Sequence, residues 1–331
     1  MQRKLKTLGM IMVLAIMPTS TTMATPVPAR IPALAPTKIP AHTPPPAPAP
    51  VVLVNAIGVE NQYADVIAKI GGKFVHVTAI NADTTSNPHN FQATPQIAAE
   101  IAHADLVVKN GLGYDAWVDP LIAAATNPKQ QVINVQQLMG VAENAPNPHL
   151  WYKPETMPAV AKRIAEDLSR DLPTQKAYFE ANVKIFDLTL APWQAAITRL
   201  KSHYAQTEVA VTDSVGNDLL EAADLKIVTP VSLQMAIMKG IEPTAEDISA
   251  QTALFADGKV KIFIYNPQVI SPLTEGFLFQ ARQQHIPVVS LYETLPVPGY
   301  HYPGWMIAET NALLHALTSK ASTESLFDSH Y

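Results

Sequence analysis

The sequence of 331 residues contains no cysteine. That absence excludes disulfides, thiolate metal ligands and a cysteine nucleophile, and it leaves no thiol for a lipid anchor on an N-terminal cysteine. Charge is also sparse: Asp, Glu, Lys and Arg make up 15% of the chain, the net charge is -5, and no long Lys/Arg run occurs. A chain of this kind lacks the electrostatic footprint of a nucleic-acid binder, and its mild negative charge favours cations. Neither a His-Glu-x-x-His helix nor a Gly-x-Ser-x-Gly turn is found, so two common hydrolase signatures are missing. Any metal would have to be held by His, carboxylate, amide or water.

What is present is enough apolar material, 48% of residues, to build the cores of two ordinary domains. The first residues are basic (Arg3, Lys4, Lys6), and Leu8 to Met17 are apolar but too few to span a bilayer comfortably. Small and polar residues then lead to Ala24, so residues 1–24 are expected to be a cleavable export signal. Residues 25–50 are dominated by Pro and Ala, including Pro44-Pro45-Pro46, and read as an extended tether.

Beyond the tether, β-rich runs alternate with helical patterns, which predicts an α/β fold of two lobes with mostly parallel sheets joined by a long connector helix. Strands are expected at 51–59, 74–80, 106–109 and 131–135, and again at 208–212, 226–229, 260–265 and 286–291. Between the two sets, residues 155–171 and 174–204 show helical spacing without a strand signal, the second stretch interrupted by Pro192. Further helical stretches are expected at 95–103, 114–125, 245–256 and 273–284. The predicted organisation is a first lobe at 51–172, a connector at 173–206, a second lobe at 207–320 and a tail at 321–331.

Two Asn-Pro-His triplets, Asn87-Pro88-His89 and Asn147-Pro148-His149, each follow a predicted strand across a loop. A lone His near apolar residues is usually structural, but neutral imidazole is the commonest protein ligand for a transition metal, and a repeated frame suggests one shared ion. In open α/β sheets ligands bind beyond the carboxyl ends of strands. Asp213 and Glu293 occupy such positions in the second set. Asp213 is equally a candidate helix N-cap, and Glu293 a candidate solvated loop residue. Together His89, His149, Asp213 and Glu293 would form a cross-lobe site for a divalent ion, Zn2+ or Mn2+. His76, His103 and His203 read as structural or exposed, and His301 as a residue of the cleft rim.

The run from Asn87-Pro88-His89-Asn90-Phe91 through Ala104-Asp105-Leu106-Val107 to Asn110-Gly111-Leu112-Gly113 resembles the zinc/manganese-type substrate-binding proteins of bacterial ABC importers, over about residues 51–317. The resemblance implies that His89 and His149 are metal ligands and that Glu293 stands where the family has an Asp. It also implies that Asp213 takes a place usually held by His or Glu, with Thr212 or water as the alternative donor. The family's His-rich acidic loop is absent. The implied protein is a non-enzymatic, monomeric periplasmic receptor that passes its metal to a membrane permease. A secreted metal-dependent hydrolase and a surface adhesin are the competing readings.

Overall fold

The computed structural model describes residues 53–296 and 299–326. The expected signal and tether, and the end of the tail, lie outside the described residues.

Among the described residues eight strands form: β1 (Val54–Glu60), β2 (Val75–Asn81), β3 (Leu106–Lys109), β4 (Gln131–Asn134), β5 (Glu208–Val211), β6 (Lys226–Ile227), β7 (Ile262–Tyr265) and β8 (Val288–Ser290). They build two four-stranded sheets with strand orders β2-β1-β3-β4 and β6-β5-β7-β8, and every pairing is parallel. The second sheet therefore repeats the topology of the first. In each, the chain leaves the first strand for one side and later crosses to the other, which opens a crevice at the carboxyl end of the strands.

Strand side chains alternate between faces, and both faces are covered. Val209, Val211, Ile262 and Ile264 point into a core shared with the first lobe and the long helices. Ala210, Phe263 and Tyr265 point the other way, into a cluster with Phe255 and Phe277. In the first sheet Val54, Ala56, Leu106 and Val108 join the shared core, while Ile57, Val59 and Val107 pack outward with Ile101 and Val118. One apolar core is thus shared by both lobes.

The connector is one helix, Lys176–Tyr204, with Pro192 inside it. Proline removes a helical N–H, and Leu188, whose carbonyl loses that partner, sits on the exposed face. Phe179, Phe186, Leu190, Trp193 and Leu200 are buried on the opposite face; of the apolar stripe expected from the sequence, Tyr178, Ala181, Ile185, Leu188 and Leu200, only Leu200 is fully buried, and Ile185 and Leu188 face out. Trp193 Nε1 donates to Thr310 Oγ1 on the C-terminal helix Tyr302–Ser319 (3.0 Å), and Asn182 Nδ2 donates to Ile70 O in the first lobe (2.8 Å).

The expected helix over 114–125 is different in the structure: a turn leads into a 3-10 segment, Ala116–Val118, and a short helix, Asp119–Ala123. The preceding Asn-Gly-Leu-Gly run adopts positive φ at Gly111 (84°), Leu112 (53°) and Gly113 (76°). Asp115 then folds back to accept the N–H groups of Asn110 (2.5 Å) and Gly111 (2.9 Å). The carboxylate that could have opened a helix instead closes this turn.

Candidate metal centre

The two Asn-Pro-His triplets fold into matching turns for a local reason. Asn87 Oδ1 accepts the N–H of His89 (2.9 Å), and Asn147 Oδ1 accepts that of His149 (3.1 Å), an Asx turn in each case. Proline between them fixes the intervening φ. In the second triplet Asn147 Oδ1 also lies 2.8 Å from His149 Nδ1. An amide oxygen can only accept, so Nδ1 carries a proton, and in the neutral imidazole Nε2 keeps its lone pair. Asn110, at the carboxyl end of β3, ties this loop down by donating to Pro148 O (2.8 Å), while Tyr63 Oη donates to Asn110 Oδ1 (2.6 Å).

The imidazoles meet edge to face, with ring centroids 5.8 Å apart at 85°. Tyr114 and Trp151 wall them in: the Tyr114 ring lies 4.8 Å from His89 and the Trp151 ring 5.4 Å from His149. His149 is fully buried, whereas the His89 side chain keeps 17% exposure. That exposure opens on a cavity of about 360 Å³ bordered by Asn87, Tyr114 and Pro148 of the first lobe and by Met238 and Lys239 of the second.

Glu293, fully buried, comes from the loop after β8 and brings Oε2 to 3.1 Å from His89 Nε2 and 3.5 Å from His149 Nε2. Tyr114 Oη donates to the same oxygen (3.1 Å). Neither Nε2 has a well-aligned hydrogen bond. Buried nitrogens left in this state are costly unless something fills the space between them. One ligand atom from each of His89, His149 and Glu293 lies within 4.8 Å of the others, the only such group among the described residues.

Burial opposes ionisation of Glu293, but the two imidazoles beside it prevail and hold its carboxyl well below the usual carboxylate range. Burial likewise disfavours the charged form of His89, yet the Glu293 charge raises its pKa. Burial and the Glu293 charge keep the Tyr114 hydroxyl protonated, so it remains a donor.

Asp213 follows β5 and is also fully buried, but it stands outside the three-donor group. Its Oδ1 accepts the N–H of Val215 (2.9 Å) and its Oδ2 accepts Nδ2 of Asn266 (2.9 Å). Burial first, then the Glu293 charge, pushes its carboxyl up to about 6. It is not a helix cap: the next helix, Asn217–Ala222, starts after Gly216 in a left-handed conformation. Thr212, the alternative donor, accepts the N–H of Asn266 through Oγ1 (3.0 Å).

His301 is not at this site. Its Nδ1 pairs with Asp65 at 2.6 Å, and it borders a separate cavity with Phe186 and Tyr300. Sequence reasoning missed Tyr114, Asn266 and Gln268. Asn266 directly follows β7, so the strand-end rule that found Asp213 and Glu293 points to it as well.

The family model described as zinc-uptake complex component A, periplasmic, matches residues 60–316. The substrate-binding lipoprotein ScbA of Streptococcus cristatus, named for a metal ABC transporter, is 26% identical over 145 residues, 40% of this chain and 46% of that protein. The manganese ABC transporter lipoprotein PsaA of Streptococcus pneumoniae is 28% identical over 133 residues, 37% of this chain and 43% of its own length. These matches span less than half the length of those relatives. Among solved structures, the periplasmic zinc-binding protein TroA of Treponema pallidum superposes with a TM-score of 0.68 at 15% identity, covering 81% of this chain and 99% of TroA. FpvC of Pseudomonas aeruginosa, solved with Mn2+, gives 0.65 at 19% identity, covering 82% and 100%. With its two lobes, its long helix and a family match over most of its folded part, the chain belongs to the periplasmic zinc-uptake component A family.

Proposed function

We propose that this protein captures one divalent transition-metal ion, Zn2+ or Mn2+, between its lobes and delivers it to the permease of an ABC importer in the inner membrane. The ion is cargo, held by Nε2 of His89, Nε2 of His149 and Oε2 of Glu293, with Asp213 as a fourth donor. One observation carries this reading: two buried imidazole nitrogens without aligned partners converge on one carboxylate oxygen. Two neutral nitrogens and hard carboxylate oxygens are a donor set that both Zn2+ and Mn2+ accept. The family description and the names of the metal-transporter relatives support the same assignment.

No chemistry on the ion is required of a receptor, so we assign no catalytic residue. Export by residues 1–24, a Pro/Ala tether at 25–50 and action as a monomer complete the proposal. Competition against a chromophoric chelator tests it. Wild type should take up one equivalent of metal, and His89→Ala should weaken binding by more than the ~100-fold that loss of an outer-shell partner costs. Equal affinity of His89→Ala and wild type rejects the assignment.

A further inference from the structure

The buried amide of Asn266 bridges the two carboxylates of the second lobe. Its Nδ2 donates to Glu293 Oε1 (2.6 Å) and to Asp213 Oδ2 (2.9 Å), so one NH2 group serves both. The amide orientation is fixed independently, because its Oδ1 accepts the N–H of Gln268 (2.9 Å), which only an oxygen can do. Asn266 is fully buried and its backbone N–H is held by Thr212 Oγ1 (3.0 Å).

We propose that Asn266 determines which metal the site prefers by restricting each carboxylate to one donor oxygen. Glu293 Oε2 faces the imidazoles, while Oε1 is turned away and engaged by the amide. At Asp213 the amide holds Oδ2 and Val215 N–H holds Oδ1. One Asp213 oxygen reaches an ion by giving up its own hydrogen bond, while the bond to the other oxygen keeps that one engaged. The result is two nitrogens and two oxygens, the tetrahedral set that suits Zn2+. If both carboxylates became bidentate, the set would grow to two nitrogens and four oxygens, which suits the oxygen-rich, higher coordination of Mn2+. Asn266 blocks that expansion at both carboxylates at once.

This inference rests on His89, His149, Glu293 and Asp213 being the donors. The test is to titrate Zn2+ and Mn2+ separately into wild type, Asn266→Ala and Asn266→Asp at one pH, after a thermal melt shows each variant folded. Asn266→Asp keeps an acceptor for Gln268 N–H and loses the bridging NH2; Asn266→Ala loses both. The Zn2+-over-Mn2+ affinity ratio should fall about tenfold or more in each, on the scale of outer-shell substitutions at metal sites. The Mn2+ coordination number, read by X-ray absorption, should rise. A ratio that is unchanged or higher in a folded variant overturns the proposal. Should neither variant fold, a crystal structure of Zn2+-loaded wild type decides: monodentate Glu293 with Asn266 still on Oε1 supports it, and bidentate Glu293 overturns it. Wild type that binds neither metal would refute the donor assignment itself, a result distinct from failure of Asn266 alone.

Discussion

The loops that leave β8 and β5 each carry a buried acidic residue toward the cleft, yet they are held in opposite ways. After β8, four successive backbone N–H groups are each taken by a buried side chain from another element. Tyr292 N–H goes to Glu309 (2.9 Å), Glu293 and Thr294 to Gln268 Oε1 (2.7 and 3.1 Å), and Leu295 to Asn61 Oδ1 (2.8 Å). Asn61 also donates back to Leu295 O (2.8 Å), and it belongs to the first lobe. After β5 the loop's own N–H groups are bonded locally, Val215 N–H to Asp213 Oδ1 (2.9 Å) and Asn217 N–H to Ser214 O (3.1 Å), while Asn266 holds the side chains of Thr212 and Asp213. The difference teaches where the site is preset. Glu293 is positioned by residues distant in sequence, including one across the lobe boundary, so its oxygen waits at the imidazoles. Asp213 is oriented by its own turn and the Asn266 amide.

The largest effect that sharpens this contrast is on stability. Asn61→Ala strips both partners from a buried N–H and C=O, and should cost about 2–4 kcal/mol, because each buried group left unsatisfied costs about 1–3 kcal/mol. Ser214→Ala in the β5 loop removes only long contacts to Met238 Sδ (3.3 Å) and His149 Nδ1 (3.4 Å), and should cost under about 1 kcal/mol. Urea denaturation of both variants without metal checks the asymmetry; equal losses would erase it.

A smaller effect concerns pH, acting behind the β8 loop alone. Glu309 is fully buried, and burial, opposed by hydrogen bonds from Tyr152, Tyr292 N–H and Trp305, pushes its carboxyl up to about 8. The geometry agrees: Tyr152 Oη lies 2.7 Å from Tyr292 O and 2.6 Å from Glu309 Oε2, and its single proton can serve only one of them. A neutral Glu309 resolves this by donating to Tyr152, which then donates to Tyr292 O. Between about 4.5 and about 8 the folded state therefore holds a proton that the unfolded state has lost. Stability contributed by this group is complete below the unfolded value and is lost as pH rises through that window. Glu309→Gln, whose amide can make the same donation, should flatten this part of the stability profile. A profile with the same slope in the variant would show that Glu309 is ionised in the fold.

Much of this arrangement was legible in the sequence because its signals are local. Strand β3 and the helices Pro95–His103 and Ala245–Ala256 fall where apolar spacing and caps place them, and the repeated Asn-Pro-His frame marks both histidines by pattern alone. Strand-end position marks Glu293. What was not legible depends on contacts between distant segments. Nothing near Asn266 or Gln268 in the chain shows that one bridges two carboxylates and the other holds the Glu293 loop. Asp213 has the right type and position, but whether its oxygens face an ion or an amide is decided by β7, more than fifty residues later. The 114–125 segment failed as a helix because a carboxylate at Asp115 closes the turn before it.

The central claim, one ion shared by both lobes, is tested most directly by anomalous diffraction at the zinc and manganese edges from crystals of metal-loaded wild type. The account predicts a single strong peak within bonding distance of His89 Nε2, His149 Nε2 and Glu293 Oε2 together. A peak bound by residues of one lobe only, or no peak between the two imidazoles, would contradict it.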